Sequence, residues 1–246
     1  MSSLRYLLSP ATRARIGAFR RKYDLHWPRR GSVSFGDLRC VSPISKSFGL
    51  DRGQAIDRYY IEAFLAANSA RIAGRVLELG DPCYTQKFGG DRVTQSDVLH
   101  VVAGNPAATI IADLGDAPHI PDDSFDCIIF TQTLQMIYDM GATLRTLNRI
   151  TKPGGSVLIT TAGIAKVGRR LGRDDWGEYW RHTAQGLEAQ VKEFFPGADA
   201  DVVNYGNVLS ACAFLQGLAS DELEPFELDY VDEDFEVIIA ARVIPR

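Results

Sequence analysis

The sequence contains no C-x-x-C pair, no G-x-G-x-x-G, no internal repeat and no low-complexity block. Its four cysteines, Cys40, Cys83, Cys127 and Cys212, are too scattered for a zinc site or a disulfide framework, so no metal centre is expected. A reducing, hence cytoplasmic, compartment is expected, and Cys127, inside an apolar run, reads as core packing. No apolar run approaches the roughly 18–20 residues that span a bilayer. Leu7-Leu8 is a short apolar patch followed by arginines, so no secretory signal is expected. Lacking a G-x-G-x-x-G after a strand, the chain is poorly suited to NAD-dependent oxidoreduction.

Hydrophobic residues at 46% and charged residues at 24% describe a globular protein with a full core. A length of 246 residues suits one large α/β domain or two small ones. The net charge of −4 conceals an asymmetry. Residues 1–30 hold eight Arg/Lys against the single acid Asp24. Residues 1–40 therefore read as a basic N-terminal arm, and 41–246 as one domain. The arm is either a solvated leader or a contact for phosphates, an anionic membrane or a partner protein. The acidic body argues against nucleic acid as a substrate.

Pro10 interrupts a basic helical pattern over 4–25. Helical spacing of Ile56, Tyr59, Tyr60, Ala63, Phe64 and Ala67 predicts a helix over 51–70, with Asp51 able to cap it. Short β-branched runs then predict strands at 75–80, 93–99, 109–113, 125–130 and 156–161. A helix is expected over 134–150, and Lys152-Pro-Gly-Gly155 as a turn into the fifth strand. The runs do not alternate in polarity, as in a sheet covered on both faces. Strand and helix in succession predict an α/β fold with a doubly wound, mostly parallel sheet. Residues 163–182, rich in Gly, Arg and aromatics, read as a lid or insertion. A helix at 183–195, a strand at 200–205, a helix at 207–218 and a last strand at 235–243 follow.

Ligands of such sheets bind outside the carboxyl ends of the strands. Three acids stand near three successive ends: Glu78 before Gly80, then Asp97, then Asp113. Asp97, 17 residues beyond Gly80, suits a ribose diol, because a carboxylate accepts from both hydroxyls. Asp113 suits an adenine amino group. Each alone could equally be a capping or solvated carboxylate.

Val76-Leu-Glu-Leu-Gly80, Ile111-Ala-Asp-Leu114, Pro121-Asp-Asp-Ser-Phe-Asp-Cys-Ile-Ile129 and Leu147-x-x-Ile150-x-Lys152-Pro-Gly-Gly155 stand in this order. Together they resemble the class I S-adenosylmethionine-dependent methyltransferases over about residues 55–162. The resemblance implies a seven-stranded Rossmann-like methyltransferase fold with an antiparallel C-terminal strand, and S-adenosyl-L-methionine as cofactor. It also implies cofactor contacts from Glu78, Gly80, Asp97, Val98, Asp113, Leu114, Thr131 and Gln132. One segment departs from the family. Its loop after the first strand is normally glycine-rich, whereas here it reads Gly80-Asp-Pro-Cys-Tyr-Thr-Gln-Lys-Phe-Gly-Gly90, and Pro82 has no N–H. This wording, with Ser96-Asp-Val-Leu-His100, resembles a bacterial subgroup among sugar and polysaccharide assembly enzymes.

The reading is methyl transfer to a small-molecule or glycan acceptor, expected at oxygen, where a general base assists. His182 is the candidate base; its other reading is a lid histidine bonded to backbone. Trp176, Tyr179 and Trp180 are either a stacking platform for the acceptor or a buried helix face. Arg173, with Arg169 and Arg170, could grip an anionic acceptor or lie in a solvated loop. A non-catalytic methyltransferase-like module acting through a partner is the competing reading.

Overall fold

Seven strands form one sheet: β1 (Gly74–Leu79), β2 (Val93–His100), β3 (Ile110–Ile111), β4 (Phe125–Thr131), β5 (Thr151–Ala162), β6 (Asp199–Tyr205) and β7 (Ile238–Ile244). In this computed structural model, residues 8–168 and 177–246 are described. Arg169, Arg170, Arg173 and Trp176 lie outside the described residues. The spatial order is β3-β2-β1-β4-β5-β7-β6. The first five strands pair in parallel, and β7 runs antiparallel to both β5 and β6. The mostly parallel, doubly wound sheet with an antiparallel C-terminal strand is therefore present as expected.

The alternation of each strand feeds two cores. Leu77, Ile128, Phe130, Val157 and Ile159 pack on one face with Leu144 and Leu147 of α3 (Met140–Ile150) and Leu187 and Val191 of α4 (Ala184–Phe194). Val76, Cys127, Ile129 and Leu158 pack on the other with α2 (Ile56–Ala67) and α5 (Val208–Gln216). Both faces are covered, which is why the strand sequences are continuously apolar. No described helix is long and apolar enough to cross a membrane.

The chain divides into two compact units, Met1–Ser42 and Pro43–Arg246. In the first, α1 spans Pro10–Lys22 and buries no residue. Pro10 begins this helix instead of interrupting it. Proline is tolerated in the first turn, where its missing N–H has no partner to lose, and the Ser9 side chain caps Thr12 N.

Other departures have local causes. Ala55, not Asp51, precedes α2, and Asp51 instead accepts a hydrogen bond from the Ser45 hydroxyl. The helix expected over 134–150 is broken: a 3-10 turn at Leu134–Met136 comes first, and α3 starts only after Asp139, whose carboxylate accepts from Ala142 N. Pro153-Gly154-Gly155 lies inside the span of β5, at an irregularity in its register with β4, and Gly154 N bonds Pro245 O. It is a kink in the strand, not a turn before it.

Candidate active site

A cavity of about 1030 Å³ opens at the carboxyl ends of β1, β2 and β4. Its floor is Glu78, Leu79 and Gly80 from β1 and the turn after it, beside Leu99 and His100 from β2. Ala112, Asp113, Leu114 and Gly115 form one side, and Thr131, Gln132 and Thr133 another. Arg58, Glu62 and Tyr84 close the end nearest α2, while Met136, Tyr138, Asp139 and Tyr179 bound the rest.

Glu78 shapes the first turn. It is buried, and its two carboxylate oxygens accept from Tyr84 N at 3.0 Å and Thr85 N at 2.7 Å. Burial pushes its carboxyl pKa up, and the Thr85 and Tyr84 N–H groups oppose the shift. Glu78 thus folds the loop back onto its own strand. Gly80 has φ +88°, and a Cβ there would meet nothing within 4 Å. Glycine is required by the backbone, and open space lies beside it. Gln132, at φ +48°, follows β4; Gln135 donates to the Gln132 side-chain oxygen, while the Gln132 amide nitrogen is buried without a partner among the described residues. A buried donor lacking an acceptor is costly, and a ligand acceptor would relieve it.

Of the residues singled out in the sequence, Glu78, Gly80, Asp113, Leu114, Thr131, Gln132 and Tyr179 line this cavity. Asp97 and Val98 do not line it. Asp97 pairs in register with Leu77, mid-strand, because β2 runs three residues further to His100. Its carboxylate is buried and engaged by Arg75 Nε at 2.7 Å, Gln95 Nε2 at 3.0 Å and the Thr109 hydroxyl at 3.0 Å. It is a structural tie between β1, β2 and the segment before β3. His100, from the same strand, lines the cavity.

His182 is also absent from the lining. It is 7% exposed, with Nδ1 2.9 Å from the Thr161 hydroxyl and Nε2 3.1 Å from Met140 Sδ. Burial, then the neighbouring Arg181 charge, lowers its pKa to about 4. It is therefore neutral near pH 7, packed behind the cavity wall, with both ring nitrogens occupied. Because the unfolded residue titrates near 6.5, the unfolded chain binds the extra proton between about pH 4 and 6.5. This group's linkage therefore favours folding less as pH falls through that window, by about 3 kcal/mol in total. Denaturant titrations at pH 4 to 7 should show this slope in the wild type and a flatter one in His182→Gln. Equal slopes would contradict the buried neutral state.

Trp180 lies outside the lining, its indole N–H donating to Ile137 O and its ring stacked on Tyr138. Tyr138 also meets Tyr179 edge-on, with centroids 5.3 Å apart. Among the described residues, Tyr138 and Tyr179 thus form an aromatic pair in the cavity lining. Sequence reasoning missed Tyr138, whose position between strand and helix carries no periodic signal. It also missed Arg58 and Tyr84, joined by a 3.1 Å hydrogen bond from the guanidinium to the phenol oxygen.

The methyltransferase-domain sequence pattern matches residues 58–197, more than half of the chain. The chain belongs to the methyltransferase-domain family. S-adenosylmethionine is its cofactor. Among curated proteins, malonyl-[acyl-carrier protein] O-methyltransferase of Serratia marcescens is 25% identical over 211 residues, covering 74% of this chain and 78% of that protein. Phosphoethanolamine N-methyltransferase 1 of Arabidopsis thaliana is 30% identical over 128 residues, covering 50% of this chain but only 23% of its own length. The crystal structure of the [4+2]-cyclase SpnF superimposes with a TM-score of 0.51 at 16% identity, covering 92% of this chain and 95% of that one; it shows the shared fold. The cavity suits the cofactor: Leu99, Ala112 and Leu114 offer an apolar slot for a base, Gly80 leaves room beside the backbone, and Gln132 holds an unmatched donor.

Proposed function

We propose that this methyltransferase moves the methyl group of S-adenosylmethionine to an acidic oxygen of a small-molecule acceptor. The observation that carries this reading is the cavity itself. It joins the strand-end floor, where a nucleoside fits, to an aromatic side formed by Tyr138 and Tyr179.

The cofactor, when bound, supplies a methyl group already activated on a sulfonium. The chain's own residues then have three tasks. Glu78 and Gly80 shape the first turn, and His100 stands where the ribose is expected to lie. Leu99, Ala112, Asp113 and Leu114 frame the base, while Thr131 and Gln132 face the cofactor from β4. Tyr138 and Tyr179 hold the flat face of the acceptor and exclude water. Alignment of the reacting atoms by such contacts can supply up to about 7–11 kcal/mol of rate enhancement.

The acceptor class is read from the bases that the described lining offers on the acceptor side. His182 does not line the cavity, His100 stands at the β2 end where the ribose is expected, and Asp139, beside Tyr138, is a carboxylate and hence a weak base. A phenol or carboxylic acid oxygen loses its proton without a strong base; an ordinary glycan hydroxyl does not. The name of the Serratia relative, an O-methyltransferase of a malonyl group, agrees with an acidic oxygen.

Transfer of labelled methyl groups to a panel of phenols, carboxylic acids, sugars and amines tests this. Methyl esters or aryl methyl ethers are expected. Labelling of amines alone would contradict oxygen transfer, and labelling of sugars with the acidic acceptors untouched would contradict the acidic preference.

A further inference from the structure

The turn after β1 has little left with which to hold an anion. Gly80 N bonds Leu99 O, and Pro82 has no N–H. Cys83 N is taken by Asp81 Oδ1, Tyr84 N and Thr85 N by Glu78, and Gln86 N by Pro82 O. A glycine-rich turn can offer its backbone N–H groups to a carboxylate; here Gly80 and every residue from Cys83 to Gln86 spends its own internally.

Charge has to come from a side chain instead. Among the described residues that line the cavity, Arg58 is the one permanent cation; Glu62, Glu78, Asp81, Asp113 and Asp139 are acids. Glu62 is engaged by Lys87 at 2.7 Å, outside the lining. Arg58 donates from Nη1 to the Tyr84 hydroxyl, and the neighbouring acids Asp57 and Asp81 act on it through their charge without an ion pair among the described residues. Tyr84 is itself positioned by the Glu78 bond to its N–H. A rigid strand-end acid thus orients a tyrosine, and the tyrosine orients a guanidinium toward the same end of the cavity as Gly80 and Asp81.

We propose that Arg58, held by Tyr84, grips the carboxylate of the cofactor's amino-acid tail and replaces the backbone donors that this turn lacks. The guanidinium suits the task because its planar fork matches a carboxylate with two parallel N–H bonds. Asp81, beside the turn with one oxygen on Cys83 N, is suited to the tail's ammonium. The assignment rests on the cofactor reading above and adds which residue of α2 secures the tail.

Calorimetric titration with two ligands separates the possibilities. S-adenosylhomocysteine carries the amino-acid tail; 5′-methylthioadenosine keeps the nucleoside and lacks it. Arg58→Gln is expected to weaken S-adenosylhomocysteine by roughly 10–100-fold, the effect of losing hydrogen bonds to a charged group. The same variant should leave 5′-methylthioadenosine within about threefold of wild type, since no tail is present to lose. Tyr84→Phe keeps the ring and removes only the hydroxyl that fixes Arg58, so it should show the same selectivity at smaller amplitude. It also provides the test if Arg58→Gln does not fold, which circular dichroism reports. Equal weakening of both ligands, or no change for S-adenosylhomocysteine, overturns the role of Arg58 while leaving the cofactor reading intact. Wild-type protein that binds neither ligand overturns both.

Discussion

Replacing Glu78 with alanine is expected to weaken S-adenosylmethionine binding by about 100-fold or more. The carboxylate accepts from two buried N–H groups, Tyr84 and Thr85. Each hydrogen bond to a charged group contributes about 1.5–3 kcal/mol, and removing the acceptor leaves both donors without a partner. The loop from Asp81 to Thr85 would no longer fold back on β1, and Tyr84 would lose its position beside Arg58. Glu78→Gln is expected to be intermediate, because a single carbonyl oxygen remains to accept and the amide NH₂ faces an N–H. Calorimetry for affinity and thermal melting for stability read both variants. Wild-type affinity in a folded Glu78→Ala protein would show that this carboxylate does not organise the site.

Asp97→Ala should behave in the opposite sense: a marked loss of stability with cofactor affinity largely kept. Asp97 is 6% exposed and ties Arg75, Gln95 and Thr109. Removing one partner of a buried pair costs about 3–5 kcal/mol; with Arg75 about one-third exposed, roughly 2–3 kcal/mol is expected. Urea denaturation measures the loss, and calorimetry on the folded fraction measures affinity. A cofactor affinity lowered by 100-fold with unchanged stability would return Asp97 to the ribose and contradict the register in which β2 ends at His100.

These two acids show what was legible in the sequence and what was not. Glu78 was readable because it sits one residue before the strand-ending leucine and two before Gly80, so its place at the strand tip follows from β1 alone. The mid-strand place of Asp97 was not readable, because spacing counts residues and not register. β2 ends at His100, one residue beyond the expected end, and Asp97 pairs with Leu77, so its carboxylate lies three residues inside the strand. The sheet was legible because continuous apolar runs identify strands covered on both faces. Helix starts were less so, since α3 begins where Asp139 can cap it, after a stretch from Met136 to Asp139 that lines the cavity. His182 misled for a related reason. An aromatic-rich segment after β5 says that something packs there, but not which side chain turns inward. Arg58 carries no sequence signal of its own; its meaning comes from the spent donors of a loop more than 20 residues later.

The fold alone does not settle the chemistry. SpnF, which shares it, is a [4+2]-cyclase. The assignment to methyl transfer comes from the family pattern over residues 58–197, and the assignment of roles comes from the strand-end cavity.

The most direct measurement is crystallographic: the protein with S-adenosylhomocysteine bound. The nucleoside is predicted between Leu99, Ala112 and Leu114, with its ribose beside His100 and its tail reaching Arg58. Density for the ligand elsewhere, or a cavity left vacant at saturating ligand, would contradict a cofactor site at the carboxyl ends of β1, β2 and β4.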